Sequence, residues 1–138
     1  MTDIEIQHTF PASADTVWSW IGRTGDIASW IPAITTSRVD EDNVRHVVFA
    51  DGEPARERIT AFADDARTYT YTYIDGPLPL KHYESTISVT ESTDGGADVR
   101  WAASFGAESA EVEAELATAI SGIYSDALAE LENQIGAA

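Results

Sequence analysis

The stretch Ser109–Ile135, SAEVEAELATAISGIYSDALAELENQI, decides how the rest of the chain must fold. Val112, Leu116, Ala119, Ile120, Ile123, Tyr124, Ala127 and Leu131 recur at intervals of three and four, the period of a helix with one apolar side. Ser109 stands where a side-chain oxygen can accept a free backbone N–H. Glu111, Glu113 and Glu115 follow it at the positive end of the helix dipole. Gly136 marks the expected stop. The apolar positions cover about half of the circumference, a stripe too broad for a two-helix seam and suited to a concave surface. Gly122 lies off that stripe and costs about 1 kcal/mol relative to alanine.

Most of the chain upstream reads as strand. Ile4, Ile6, His8 and Phe10 alternate with Asp3, Glu5, Gln7 and Thr9, the pattern of a half-buried strand. Pro11-Ala12-Ser13 breaks it, and Ser13 with Asp15 opens a short helix whose apolar side is Val17, Trp20 and Ile21. A second helix of about two turns is expected from Asp26 to Ile31, stopped by Pro32. Six strands follow, over 34–39, 44–50, 55–63, 68–74, 82–90 and 97–105, joined by Asp-, Gly- and Pro-rich turns. Connections this short require antiparallel neighbours.

Parity tests two of the hairpins, because residues directly opposite in an antiparallel pair share a face. Centring the last hairpin on Asp94 sets Val89 against Val99, Ile87 against Trp101 and Tyr83 against Phe105, with every bulky residue on one side. Closing the earlier one on Asp65 sets Ile59 against Tyr71 and Glu57 against Tyr73, so that Thr68–Tyr73 turns three tyrosines inward. In that second hairpin a slip of one residue would turn Phe62 inward and Glu57 outward. The expected fold is α+β: a curved seven-stranded antiparallel sheet gripping a long C-terminal helix, with two short helices after the first strand.

A chain of 138 residues is expected to form one domain, 1–138, with a real core. Eight Lys and Arg against 24 Asp and Glu leave a net charge of −16, and Lys81 is the only lysine. Such a field repels nucleic acid and anionic membranes. With no cysteine, thiolate chemistry is out of reach. His8, His46 and His82 lack the spacing of a zinc site, so neither a metal nor another cofactor is expected. The first residues have neither the positive nor the apolar segment of a signal peptide, and no run approaches the roughly 18 apolar residues of a membrane span. The expectation is a cytoplasmic protein without membrane insertion; monomer and homodimer both stay open.

Five local motifs occur together: Pro11-Ala12-Ser13-Ala14-Asp15-Thr16-Val17-Trp18; Trp30-Ile31-Pro32; Val44-Arg45 leading to Asp51-Gly52 and Arg56-Glu57-Arg58; Gly76-Pro77-Leu78-Pro79 followed by Tyr83; and Val99-Arg100-Trp101. With them the chain resembles, over nearly its whole length, the START/Bet v1-like (SRPBCC) helix-grip superfamily. Within it the resemblance is to the branch of the small bacterial polyketide cyclase/dehydratases. The resemblance implies a deep apolar cavity between sheet and helix, with the turns Asp51–Pro54 and Asp75–Pro79 at its mouth. It does not settle a reaction, because that superfamily hosts cyclases, dehydratases, lyases, carriers, receptors and co-chaperones on one scaffold.

Given such a cavity, Glu57 is the most interesting acid. Set among Ile59, Tyr71 and Tyr73, it is a candidate general acid or base, or else a structural partner of Arg45 or Arg58. Tyr71 and Tyr83 are candidates for holding a carbonyl or enolate oxygen, with core packing as the plainer role. Trp30, Ile59, Tyr73, Trp101, Phe105, Ile120 and Tyr124 are the candidate ligand-contacting walls. His46 and His82 have the parity of outward-facing residues. Neither a nucleophile elbow nor a glycine-rich phosphate loop occurs. What remains is a hydrophobic, aromatic or polyketide-like ligand, with cofactor-free cyclisation, dehydration or related acid–base chemistry, or a non-catalytic carrier or sensor.

Overall fold

A computed structural model describes residues 1–137. The chain runs β1 (Thr2–Phe10), α1 (Ala14–Ile21), a 3-10 turn (Ile27–Ser29), β2 (Ile34–Val39), β3 (Val44–Phe49), β4 (Pro54–Ala63), β5 (Thr68–Asp75), β6 (Leu80–Glu91), β7 (Ala97–Ala107) and α2 (Ala110–Ala137). All seven strands form one antiparallel sheet in the order β1-β7-β6-β5-β4-β3-β2, so the first strand closes against the last. This is the helix-grip architecture. Among the described residues no helix is long and apolar enough to cross a membrane.

The long helix starts as its cap residue dictates, with the Val112 N–H donating to Ser109 Oγ at 3.2 Å. It passes through Gly136 instead of stopping there. Its buried face also differs from the expected stripe: Ala119 is exposed, and Leu128 is fully buried. Leu116, Ile120, Tyr124, Ala127, Leu128 and Leu131 fit within about a third of the circumference. The stripe narrows because α2 lies along β1 and β7 and is not enveloped by the sheet. Thr2 Oγ1 and His8 Nε2 of β1 reach Glu113 and Glu132 of the helix, at 2.6 and 2.7 Å.

On α1 the buried aromatic is Trp18, and Trp20 stays half-buried under the Arg23 guanidinium. Trp18 Nε1 donates to Asp64 Oδ1 at 2.8 Å, which pins α1 to the β4–β5 turn. The second helix is shorter than the two turns expected, a single 3-10 turn. Pro32 disfavours the helical conformation at Ile31, and Asp26 supplies no side-chain cap.

Both hairpins take the registers that parity requires, with Ile87 opposite Trp101, Tyr83 opposite Phe105, Ile59 opposite Tyr71 and Glu57 opposite Tyr73. An irregularity at Thr60 then shifts β4 by one residue, so that Ala61 faces Thr70 and Phe62 faces Tyr69. The bulge lets Glu57 and Phe62 share the inner side, an outcome that no single register allows. Phe62, still 49% exposed, packs on Trp18 and Tyr69 at the rim.

The position of the buried stripe is testable. Leu128→Ala should lower unfolding stability by about 2–5 kcal/mol, whereas Ala119→Ser should change it by no more than about 0.5 kcal/mol. Chemical denaturation of the two variants measures both.

Candidate functional site

Because side chains alternate along each strand, β3 to β7 send one set of residues onto the concave face. Arg45 and Val47 come from β3, Glu57 from β4, Tyr69, Tyr71 and Tyr73 from β5, Tyr83 from β6 and Trp101 from β7. Facing them across the gap are Ile120, Ile123 and Tyr124 of α2. Between them lies a cavity of about 60 Å³, room for roughly four to six waters. Leu78 and Leu80, from the β5–β6 connection and the start of β6, stand in its wall. That connection is drawn inward by the Leu78 N–H, which donates to the Tyr73 hydroxyl at 3.1 Å. Glycine is required at position 76 for this approach, since a Cβ there would run into the Tyr73 hydroxyl and the Ala55 methyl.

Seven of the ten candidate site residues meet at the cavity: Glu57, Tyr71, Tyr73, Tyr83, Trp101, Ile120 and Tyr124. Three do not line it. Trp30 is buried behind the wall, its ring 5.8 Å from that of Trp101, and its indole N–H has no hydrogen-bond partner. Phe105 packs behind Tyr83, and Ile59 is half-buried on β4. The histidines lie elsewhere. His46 bonds to Asp40 at 2.9 Å and, together with the Val44 and Asp42 N–H groups, draws that carboxyl down to about 2. His82 is exposed against Gly106.

Arg45 is the arginine that reaches Glu57. The two residues are direct register partners, and Arg45 Nε donates to Glu57 Oε1 at 2.9 Å. Arg58 faces away, and its side chain donates to the Asp42 carbonyl at 3.5 Å. Arg45 Nη1 donates to the Thr24 carbonyl at 3.1 Å and to the Tyr69 hydroxyl at 3.0 Å. Its guanidinium carbon lies 4.6 Å from the Tyr71 ring centre and 5.5 Å from that of Tyr69. Burial works against the Arg45 charge, but the oxygens of Tyr69, Glu57 and Tyr71 outweigh it and hold the guanidinium protonated.

A second polar group joins the sheet to the helix. The Tyr83 and Tyr124 hydroxyls are hydrogen-bonded, and Tyr124 is 2.8 Å from Ser85 Oγ. Trp101 Nε1 donates to Ser85 Oγ at 3.0 Å and to the Tyr71 hydroxyl at 3.3 Å, while its ring stacks on Tyr124 at 3.9 Å. Burial raises Tyr83 and Tyr124 well above the ordinary phenol value. Burial first, and the Glu57 charge second, raise Tyr71 as well. These phenols are therefore neutral donors near pH 7, able to hold a ligand oxygen that gains negative charge.

Residues 1–136 match the family model described as polyketide cyclase/dehydrase and lipid transport. The chain belongs to that family. The domain is 33% identical to the protein XoxI from Bacillus cereus, over 98% of this chain and 96% of that one, with a TM-score of 0.91. It also superposes on the Zhui aromatase/cyclase from Streptomyces sp. R1128, at 13% identity, with 98% and 93% coverage and a TM-score of 0.85. Ara h 8.0201 matches at 21% identity over 99% of both chains, with a TM-score of 0.76. At those two lower identities the likeness shows the fold alone. A search of curated proteins finds no significant match.

Two members of the polar assembly in this cyclase/dehydrase-family domain escape a reading by residue type. Ser85 shares the parity of Tyr83 and Ile87, and that alternation was the available signal for a hydroxyl facing inward. Tyr69 is the Arg45 partner, and its signal was the unbroken Thr-Tyr alternation of β5.

The phenols carry a pH signature. A tyrosine held above its ordinary value of 10.0 stabilises the fold fully below that pH, and the benefit is lost as pH climbs toward the raised value. Unfolding free energy should therefore be level near neutrality and fall above about pH 10. Denaturation followed together with tyrosinate absorbance should show the buried phenols ionising only as the protein unfolds.

Proposed function

We propose that this domain binds a hydrophobic, aromatic or polyketide-like small molecule in the cavity and promotes cofactor-free acid–base chemistry on it, of the cyclisation or dehydration type. The observation that carries the reading is the convergence of one carboxylate, Glu57, and several phenols, Tyr71 and Tyr83 among them, on a single apolar-walled cavity. Glu57 would take a proton from a carbon beside a carbonyl, and Tyr71 and Tyr83 would hold the oxygen that becomes an enolate. The enolate carbon would then add to a second carbonyl of the same molecule. The new alkoxide would recover the proton from Glu57, and loss of water would complete a dehydration. Trp101 and Tyr124 supply flat walls against which such a chain can fold. The family description, which names cyclase/dehydrase and lipid transport together, supports the same class of ligand.

Carriage or sensing without catalysis is the second reading. It is favoured by the internal pairing of the polar groups: Glu57 is held by Arg45, and Tyr83, Tyr124 and Ser85 bond to one another. Native mass spectrometry of the purified protein, followed by turnover assays on the captured ligand and on short poly-β-ketone mimics, separates the two. For the enzyme, Glu57→Gln and Tyr83→Phe should each cut turnover at least about tenfold while the variants stay folded. Full turnover in both variants would remove those roles, and a captured ligand released unchanged would favour carriage.

A further inference from the structure

Ser85 is a small hydroxyl set among large aromatic side chains. It is 1% exposed, on the inner side of β6. Its single Oγ meets three neighbours: the Trp101 indole N–H at 3.0 Å, the Tyr124 hydroxyl at 2.8 Å and the Ala102 carbonyl at 3.3 Å. Chemistry fixes two of those roles. An indole N–H only donates and a backbone carbonyl only accepts, whereas the contact with Tyr124 can carry its proton either way. The contact between Tyr124 and Tyr83 has the same freedom. Tyr83 and Tyr124 both line the cavity, so a row of three hydroxyls runs from the sheet backbone at Ala102 to the cavity wall.

One serine proton and two lone pairs allow the row two settings. In the first, Tyr83 donates to Tyr124, Tyr124 to Ser85, and Ser85 to the Ala102 carbonyl. The Tyr83 oxygen then keeps a lone pair for an incoming O–H. In the second, Ser85 donates to Tyr124 and Tyr124 to Tyr83, which leaves the Tyr83 proton for an incoming oxygen. Trp101 Nε1 donates to Ser85 in both, with the Tyr71 hydroxyl as a further acceptor at 3.3 Å. The first setting satisfies every proton of the row internally, and the second does so once an acceptor is bound, as a buried polar network requires. We infer that Ser85 is a positioning residue of the cavity, which by reversing its bond with Tyr124 lets the Tyr83 hydroxyl donate to a ligand carbonyl or accept from a ligand hydroxyl. The inference rests on the small-molecule reading above and deepens it: one phenol holds the same oxygen before and after it passes from ketone to enol. The row only turns. It ends on a carbonyl that has no proton to give, so it supplies no net proton to the ligand.

Cyclohexanone, cyclohexanol and methylenecyclohexane share one ring and differ in the group offered to Tyr83: an acceptor, a donor with an acceptor, and neither. Calorimetry gives their affinities, and the infrared carbonyl stretch of bound cyclohexanone reports the bond donated to it. In the unaltered protein that stretch should lie below its value in an apolar solvent. Ser85→Ala removes the acceptor through which the first setting drains, while Trp101 keeps Tyr71. Cyclohexanol should then bind at least about fivefold more weakly, with cyclohexanone within about twofold and its stretch still lowered. Tyr124→Phe cuts the row one link nearer the cavity, keeps a ring against Trp101, and should reproduce that selective loss. Ser85→Thr, which returns a hydroxyl, should restore cyclohexanol binding. Methylenecyclohexane should bind alike throughout. Equal losses of ketone and alcohol in Ser85→Ala and Tyr124→Phe, or no loss of either, would overturn the inference. If methylenecyclohexane still binds in those cases, the small-molecule reading survives; if none of the three binds the unaltered protein, both fall.

Discussion

One helix has to cover seven strands. A helix is about 10 Å across, whereas seven strands at roughly 4.8 Å spacing span close to 30 Å, so no straight helix closes the whole concave face. Here α2 settles along β1 and β7, at one side of the sheet. The face-to-face stack of Trp101 on Tyr124, at 3.9 Å and 5° between planes, is an aromatic contact joining β7 to α2. Beyond it α1 packs on β6 and β7 and reaches Phe62 and Tyr69 through Trp18, the 3-10 turn packs on β2, and Leu78 of the β5–β6 connection closes in from the side. The cavity is the volume that these separate pieces fail to share.

That geometry sorts the interior chemically. Inward positions of β6 and β7 include Ile87, Val89, Val99 and Phe105, apolar side chains that are buried outright. Inward positions of β3 to β5 hold Arg45, Glu57, Tyr69, Tyr71 and Tyr73, which need partners that a helix backbone does not offer. Arg45, Glu57 and Tyr69 find partners in one another across the strands, while Tyr71 accepts from Trp101 Nε1 and Tyr73 from the Leu78 N–H. A buried ion pair of this kind is weak evidence for stability, since its desolvation cost is comparable to its attraction. Placed on a cavity wall, its N–H groups and carboxylate are held by strands at fixed positions.

Much of this was legible from residue order. The cap at Ser109, the strand alternation and both hairpin registers follow from local covalent geometry, and the inward tyrosines follow from the registers. Three departures share a different cause. Trp18 in place of Trp20, Leu128 in place of Ala119, and Phe62 turned inward beside Glu57 each depend on pairing with another element: Asp64 and Tyr69, the β1–β7 face, and the bulged register of β4 on β5.

The chain by itself determined the helix-grip architecture, because periods of 3.6 and 2 are properties of backbone geometry that any local window reveals. It also pointed to several phenols on one face, whereas the side taken by Glu57 hung on a β4–β5 register that a one-residue slip would have reversed. Only the tertiary structure decided that Arg45 and not Arg58 meets Glu57, that Ser85 links Trp101 to Tyr124, and that Trp30 and Phe105 stand behind the wall. Those outcomes turn on how strands far apart in sequence come into register and how far one helix reaches across them, and no stretch of sequence carries that distance.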